Sequence, residues 1–202
     1  MSERRVRVVM LLSGSGRTLS NFLEQIDSQN LPLEIVAVVS SRSDVRGVEI
    51  ARNAGLPLKV FRRRDYANAT AHNAAQNAWL MTHCPQIILL AGYLCFYHRP
   101  DNFTGPILNI HPALLPKHGG QGMYGDRVHQ AVLTAGDPET GCTVHHVTDI
   151  YDAGNIVAQQ TVPVLPNDTV DTLATRVFAA ECTLYPKVVT NLAHSIIDNI
   201  DS

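Results

Sequence analysis

The stretch Leu108-Asn109-Ile110-His111-Pro112 sets an amide and an imidazole two residues apart on an otherwise apolar run. On a strand, that spacing projects both side chains to the same face. They stand at the carboxyl end of the run, where open α/β sheets place their ligands. A polar pair there is costly unless something polar meets it. Acyl transfer to an amine calls for such groups. An amide NH2 can donate to the oxyanion of a tetrahedral intermediate. An imidazole can move protons between the attacking and departing nitrogens near neutral pH. A neighbouring carboxylate would hold the imidazole and raise its pKa. Asp152, in the loop Tyr151-Asp152-Ala153-Gly154, is the candidate, although spacing alone does not bring it to His111. The pair also fits a capping asparagine beside a satisfied core histidine.

A second chemical element is the turn Ser13-Gly14-Ser15-Gly16-Arg17-Thr18, lying between a strand-like run and a helix. Free amides and the helix dipole make such a turn an anion site, and Arg17 adds a cation. It lacks the G-x-x-x-x-G-K-[ST] string of a P-loop. Leu19 occupies the place of the third glycine of a dinucleotide fingerprint, and the second strand ends in Ser40-Ser41-Arg42-Ser43 with no acid for a ribose. A tight turn without ligand is the bland alternative. The histidines His145-His146 and the pair His83-Cys84 lack metal-site spacing, and they read as pocket or surface residues. Arg62-Arg63-Arg64 reads as a solvated loop. Cys95 and Cys142 have no adjacent base or helix start to activate them. Glu181 follows Val177 by one helical turn and edges an apolar stripe, as a rim residue or a substrate contact.

These groups need a scaffold, and the runs around them supply one. Arg5–Leu12, Glu34–Val39, Ile87–Ala91 and Ile107–Ile110 read as strands, most of them buried on both faces, with a short one at Leu58–Phe61. Helices are expected after the glycine turn, on Leu19, Phe22, Leu23 and Ile26, and over Ala69–His83. The alternation implies an α/β, doubly wound, mostly parallel sheet. Thr143–Val147 and Ile156–Val162 flank Asp152-Ala153-Gly154 as an antiparallel addition. A long C-terminal helix carries Val170, Leu173, Val177, Leu184, Val188, Leu192 and Ile196 as its stripe. The chain has 202 residues, 45% apolar and 17% charged, with net charge −2; a single domain spanning 1–202 is expected, with nothing to recruit nucleic acid or an anionic membrane. No apolar run reaches the ~18 residues of a membrane span. Met1-Ser2-Glu3-Arg4-Arg5 leads straight into a strand, the wrong order for a signal peptide. Four scattered cysteines suggest free thiols and a cytoplasmic location.

The glycine turn, the string Leu108-Asn109-Ile110-His111-Pro112-Ala113-Leu114-Leu115-Pro116-Lys117, Thr143-Val144-His145, Asp152-Ala153-Gly154 and Glu181-x-x-x-Tyr185-Pro186 occur in that order. Together they resemble the glycinamide ribonucleotide formyltransferases, folate-dependent enzymes of purine synthesis, from about Val6 to Leu192. The resemblance implies a Rossmann-like formyltransferase fold. It implies 10-formyltetrahydrofolate as co-substrate, no metal and small-molecule substrates, and it leaves room for a homo-oligomer. It makes Asn109 the oxyanion donor, His111 the general acid/base and Asp152 its partner. Gly16, Arg17 and Thr18 would cradle the substrate phosphate, with Glu181 on the ribonucleotide. Leu94, Cys95, Phe96, Tyr97, Asn109, Thr148, Asp149, Ile150, Tyr151 and Asp152 would line the folate pocket, largely through backbone groups. Three features depart from the family: Ala69 stands where an arginine commonly meets the folate tail, the loop His118–Asp126 is longer, and Arg17-Thr18 replace small or amide residues. Related methionyl-tRNA formyltransferases carry a further C-terminal domain, and formyltetrahydrofolate hydrolases a regulatory N-terminal one. Neither is expected here. The open alternatives are a formyltransferase-fold enzyme acting on another amine or on water, an NADP-dependent reductase, and a non-catalytic folate or nucleotide sensor.

Overall fold

The computed structural model describes residues 4–201, apart from the side chain of Asp201. Met1–Glu3, part of the start read against a signal peptide, fall outside that range. Among the described residues, compact packing divides the chain into two units: residues up to 108 with those from 189 on, and residues 109–188.

The first unit is built on β1 (Val6–Leu12), β2 (Leu33–Ser40), β3 (Leu58–Val60) and β4 (Ile87–Leu90), in the order β3-β2-β1-β4. β2 and β4 flank β1 in parallel, and β3 pairs in parallel with β2. Parallel strands force helical crossovers, and these are α1 (Arg17–Ser28), α2 (Arg46–Asn53) and α3 (Ala69–Met81). The unbroken apolar runs are explained by burial: Val9, Met10, Leu11, Leu12, Ile87, Ile88 and Leu89 are all inaccessible. Each such side chain contributes about 1.5–3 kcal/mol over an exposed one. Leu19 and Phe22 of α1 are buried as its spacing predicts.

α3 is less typical, because it buries amides. Asn68 caps it by accepting from the Ala71 amide at 2.8 Å. Inside, Tyr93 donates to Gln76 at 2.6 Å, Gln76 donates to Asn73, and Asn73 donates to the Phe96 carbonyl. The segment after β4 is thereby fixed to the helix by satisfied buried polar groups.

Strand β5 (Ile107–His111) begins in the first unit and ends in the second. In the second unit the order is β5-β6-β7, with β6 (Glu139–His146) and β7 (Ile156–Pro163) antiparallel, as expected from the sequence. The register shifts between Val144 and His145. α4 (Asp126–Ala135) ends on Gly136 in the left-handed region, and α5 (Val170–Asp201) is the expected long C-terminal helix, with Pro186 inside it. Leu173, Val177, Leu184 and Val188 of its stripe are buried, whereas Leu192 and Ile196 are partly covered. Of the four thiols, Cys84 is exposed in the turn after α3, Cys95 and Cys182 are half-buried, and Cys142 is buried in β6. Among the described residues, no helix is long and apolar enough to cross a membrane.

Candidate active site

The second unit gathers the residues singled out first. His111 ends β5 and is buried, with its Nδ1 3.5 Å from Asp152 Oδ2. Its Nε2 donates to the His118 carbonyl at 2.8 Å. Asp152 is placed by its loop. It adopts φ 54, in the left-handed region, and Oδ2 accepts the Gly120 amide at 2.9 Å. Gly154 closes the same loop where no side chain fits, since a Cβ would meet the His146 carbonyl oxygen at 1.7 Å.

A fourth member was read from sequence only as a pocket or surface residue. His145 of β6 is 2% exposed. Its Nδ1 donates to the His146 carbonyl at 3.0 Å, which leaves Nε2 to accept from Asn109 Nδ2 at 3.1 Å. That nitrogen is also 3.5 Å from Asp152 Oδ1. The signal was present in the polar residues of the buried strand β6. Thr143 and His145 are polar side chains within the buried stretch of that strand, and both are put to use. Thr143 Oγ1 donates to the Ala113 carbonyl and accepts from the Leu115 amide, which pins the chain leaving β5.

The electrostatics correct one expectation. The His111 pKa lies below its ordinary 6.5, not above it, because burial disfavours the imidazolium more than Asp152 and the His118 carbonyl favour it. Asp152 is also shifted down. Burial pushes its carboxyl up, but the His145 contact, the His111 charge and the Gly120 amide outweigh that. The resting site is therefore a neutral imidazole beside a carboxylate, poised to accept a proton. Among the described residues, no group of three or more His, Cys, Asp or Glu could hold a metal.

Thr148, Asp149, Ile150 and Tyr151 form the loop leading to Asp152, where the Thr148 hydroxyl donates to the Ile150 carbonyl at 3.1 Å. Ile150 and Tyr151 are exposed apolar side chains. Glu181 is half-buried on α5. Burial and then the Glu181 charge push the Cys142 thiol up to about 12, too high for a nucleophile.

The first unit holds the other two groups. Gly16 precedes α1 with φ 70, and no acidic residue stands in the first turn of that helix. Arg17 is exposed and Thr18 half-buried. Ser13, buried at the end of β1, joins this turn to the segment after β4. Its amide donates to the Gly92 carbonyl at 3.1 Å, and its Oγ accepts from the Leu94 amide at 2.9 Å. The Ser13 and Ser41 hydroxyls are 2.6 Å apart. Leu94 is exposed, Cys95 and Phe96 are half-buried and Tyr97 is buried. Burial pushes the Cys95 thiol up, against hydrogen bonds from Ser41 and Tyr93.

Comparison with known proteins identifies the family. The formyl transferase family model matches residues 6–189. The phosphoribosylglycinamide formyltransferase of Haemophilus influenzae is 35% identical over 91% of this chain and 85% of its own length. The solved glycinamide ribonucleotide transformylase 1 of Symbiobacterium toebii superposes with a TM-score of 0.87 at 35% identity, covering 95% of this chain and 89% of that one. The trifunctional purine biosynthetic protein adenosine-3 of Chironomus tentans is 37% identical over 98% of this chain, yet the chain spans only 14% of that protein. In the cattle protein of that name the share is 19%. The chain belongs to the formyl transferase family and groups within it with the phosphoribosylglycinamide formyltransferases.

Proposed function

We propose that this chain transfers the formyl group of 10-formyltetrahydrofolate to the amine of glycinamide ribonucleotide, a step of purine synthesis, as one cytosolic domain spanning 1–202 and acting on small molecules. The observation that carries the reading is the convergence of Asn109, His111 and Asp152, with His145 orienting the Asn109 amide. Attack of the substrate amine on the formyl carbon places negative charge on the formyl oxygen. Asn109 Nδ2–H donates to that oxygen. His111, neutral at rest, takes a proton from the attacking nitrogen and returns one to N10 of the folate as the C–N10 bond breaks. The products are formylated amine and tetrahydrofolate. Asp152 stabilises the imidazolium that exists between the two transfers. Gly16, Arg17 and Thr18 hold the phosphate away from the reacting amine, with Glu181 on the ribonucleotide. The segment Leu94–Tyr97 and the loop Thr148–Asp152 receive the folate.

The test is an assay offering 10-formyltetrahydrofolate with glycinamide ribonucleotide, and with water alone as control acceptor. Transfer to the amine well above hydrolysis is expected. His111→Ala should lose about two to four decades of turnover while remaining folded, the usual worth of general acid–base catalysis. Equal rates with water and amine, or full turnover in a folded His111→Ala protein, would overturn the assignment.

A further inference from the structure

The nitrogen of His111 that faces away from Asp152 is held by a peptide carbonyl, and the means of holding that carbonyl lies outside the groups described so far. His118 is a non-glycine residue at φ 52, a conformation that L-residues seldom adopt and that surrounding structure must enforce. Its ring Nε2 is 2.6 Å from Asp137 Oδ2, a short contact with an ionised carboxylate. The other oxygen of that carboxylate, Oδ1, accepts from Lys117 Nζ at 3.0 Å. Both bonds hold the Asp137 carboxyl below the usual range, the His118 bond foremost. Lys117 is largely exposed, so its ion pair adds little, whereas the His118 and Asp137 side chains are 16% and 15% accessible.

Asp137 is itself well anchored. It follows Gly136, the left-handed cap of α4, and its amide donates back to the Val132 carbonyl at 3.4 Å. Residues 117–120 therefore run between two carboxylates. Asp137 grips the chain at Lys117 and His118, and Asp152 grips it at the Gly120 amide. Between these grips the His118 carbonyl faces His111 Nε2 at 2.8 Å. A carbonyl only accepts, so it commits the proton of neutral His111 to Nε2 and leaves the Nδ1 lone pair on the Asp152 side.

We propose that His118 and Asp137 are positioning residues for His111: the Asp137 carboxylate clamps the His118 ring, and the clamped residue fixes the carbonyl that sets the ring orientation and tautomer of His111. This rests on the role given to His111 above, and neither side chain touches the reacting atoms. Without the clamp, residue 118 relaxes out of its left-handed conformation, the carbonyl turns away, and His111 samples both tautomers and a flipped ring.

The experiment uses Asp137→Ala, Asp137→Asn, His118→Gly and the double variant Asp137→Ala/His118→Gly, each read by kinetics and by long-range 15N NMR of the His111 ring without substrate. In the wild type the ring should show a single neutral tautomer protonated at Nε2. Asp137→Ala should give averaged nitrogen shifts and a kcat lower by on the order of 10- to 100-fold, as for removal of other outer partners of a functional histidine, with KM little changed. Asp137→Asn keeps an oxygen acceptor and should recover most of both signals. His118→Gly reaches positive φ without strain; in that background Asp137→Ala should cost nothing more. Wild-type nitrogen shifts in Asp137→Ala, or independent losses that multiply in the double variant, would overturn the proposal. The NMR arm does not depend on the reaction, so a failure of the formyl-transfer assignment is seen separately, as absence of turnover in the wild type.

Discussion

Substituting Gly16 should damage the fold before it touches any ligand. Two independent costs act there. The residue has φ 70, and a Cβ in the left-handed region costs about 1–2 kcal/mol. That Cβ would also lie 2.4 Å from the Gly47 Cα, when contacts under 3.0 Å are essentially never seen, so the backbone must separate by at least 0.6 Å. Gly47 has little room to retreat. Its amide donates to the Gly14 carbonyl at 3.1 Å, and its own missing Cβ would sit 2.7 Å from Leu12 Cδ1. Overpacking of that kind costs about 1–3 kcal/mol. The two terms make Gly16→Ala destabilising by roughly 2–5 kcal/mol, a large part of the 5–15 kcal/mol that holds a typical domain. For a chain of this length, Tm should fall by about 4–20 °C. Gly14→Ala is the control, since nothing lies within 4 Å of its Cβ position. Thermal melts followed by circular dichroism, with urea midpoints beside them, measure both. A Gly16→Ala protein melting within about 2 °C of wild type would refute the reasoning. A carboxylate at position 16 is, by the same argument, a poor probe of phosphate binding.

Phosphate recognition is better tested by calorimetry with glycinamide ribonucleotide and its dephosphorylated riboside. The phosphorylated form should bind more tightly by a margin that shrinks with salt, and equal affinities would mean the turn is only a turn. Ser13→Ala removes the acceptor of the Leu94 amide and the partner of Ser41, so the urea midpoint should fall by the equivalent of about 1–3 kcal/mol and folate affinity should weaken; an unchanged midpoint refutes it. Because burial sets the folded His111 pKa below 6.5, the unfolded chain binds more protons between the two values. Stability from this group is therefore complete above pH 6.5 and lost as pH falls through that window, and activity should fade on the same acid limb. Asp152→Asn removes a raising influence and should move the His111 titration further to acid by NMR, where an unmoved curve would show that the pair does not interact.

Much of the scaffold was legible because β1 and β4 are buried on both faces, so the runs Val8–Leu12 and Ile87–Leu90 carry no polar residue. α2 and α4 were not anticipated. α2 is eight residues long and follows Val45, α4 follows Gly125, and neither has a side-chain cap to announce it. The pairing of Asn109 and His111 on one strand was visible, since alternation is a local property. The arrival of Asp152 through a left-handed turn depends on Gly154 fitting under the His146 carbonyl, and spacing does not encode that. His145 and Asp137 reach the site through strand pairing and a helix cap, 36 residues from Asn109 and 19 from His118 respectively. The direction of the His111 shift was missed for a related reason. A carboxylate neighbour can be guessed from a motif, but the depth at which the ring is buried is a sum over the whole fold.

The four cysteines give the chain a built-in attachment point for spectroscopy. Thiol reagents act on the thiolate, which burial suppresses at Cys95 and, most strongly, at Cys142. Cys84 stands open in its turn, while the Arg7 guanidinium holds the carbonyls of His83 and Cys84 at 2.8 Å and 3.3 Å. A fluorophore coupled there would ride on a firmly held stretch of backbone that carries none of the residues assigned to substrate or folate. Ligand titrations could then be followed by dye emission once the half-buried Cys182 is replaced by serine.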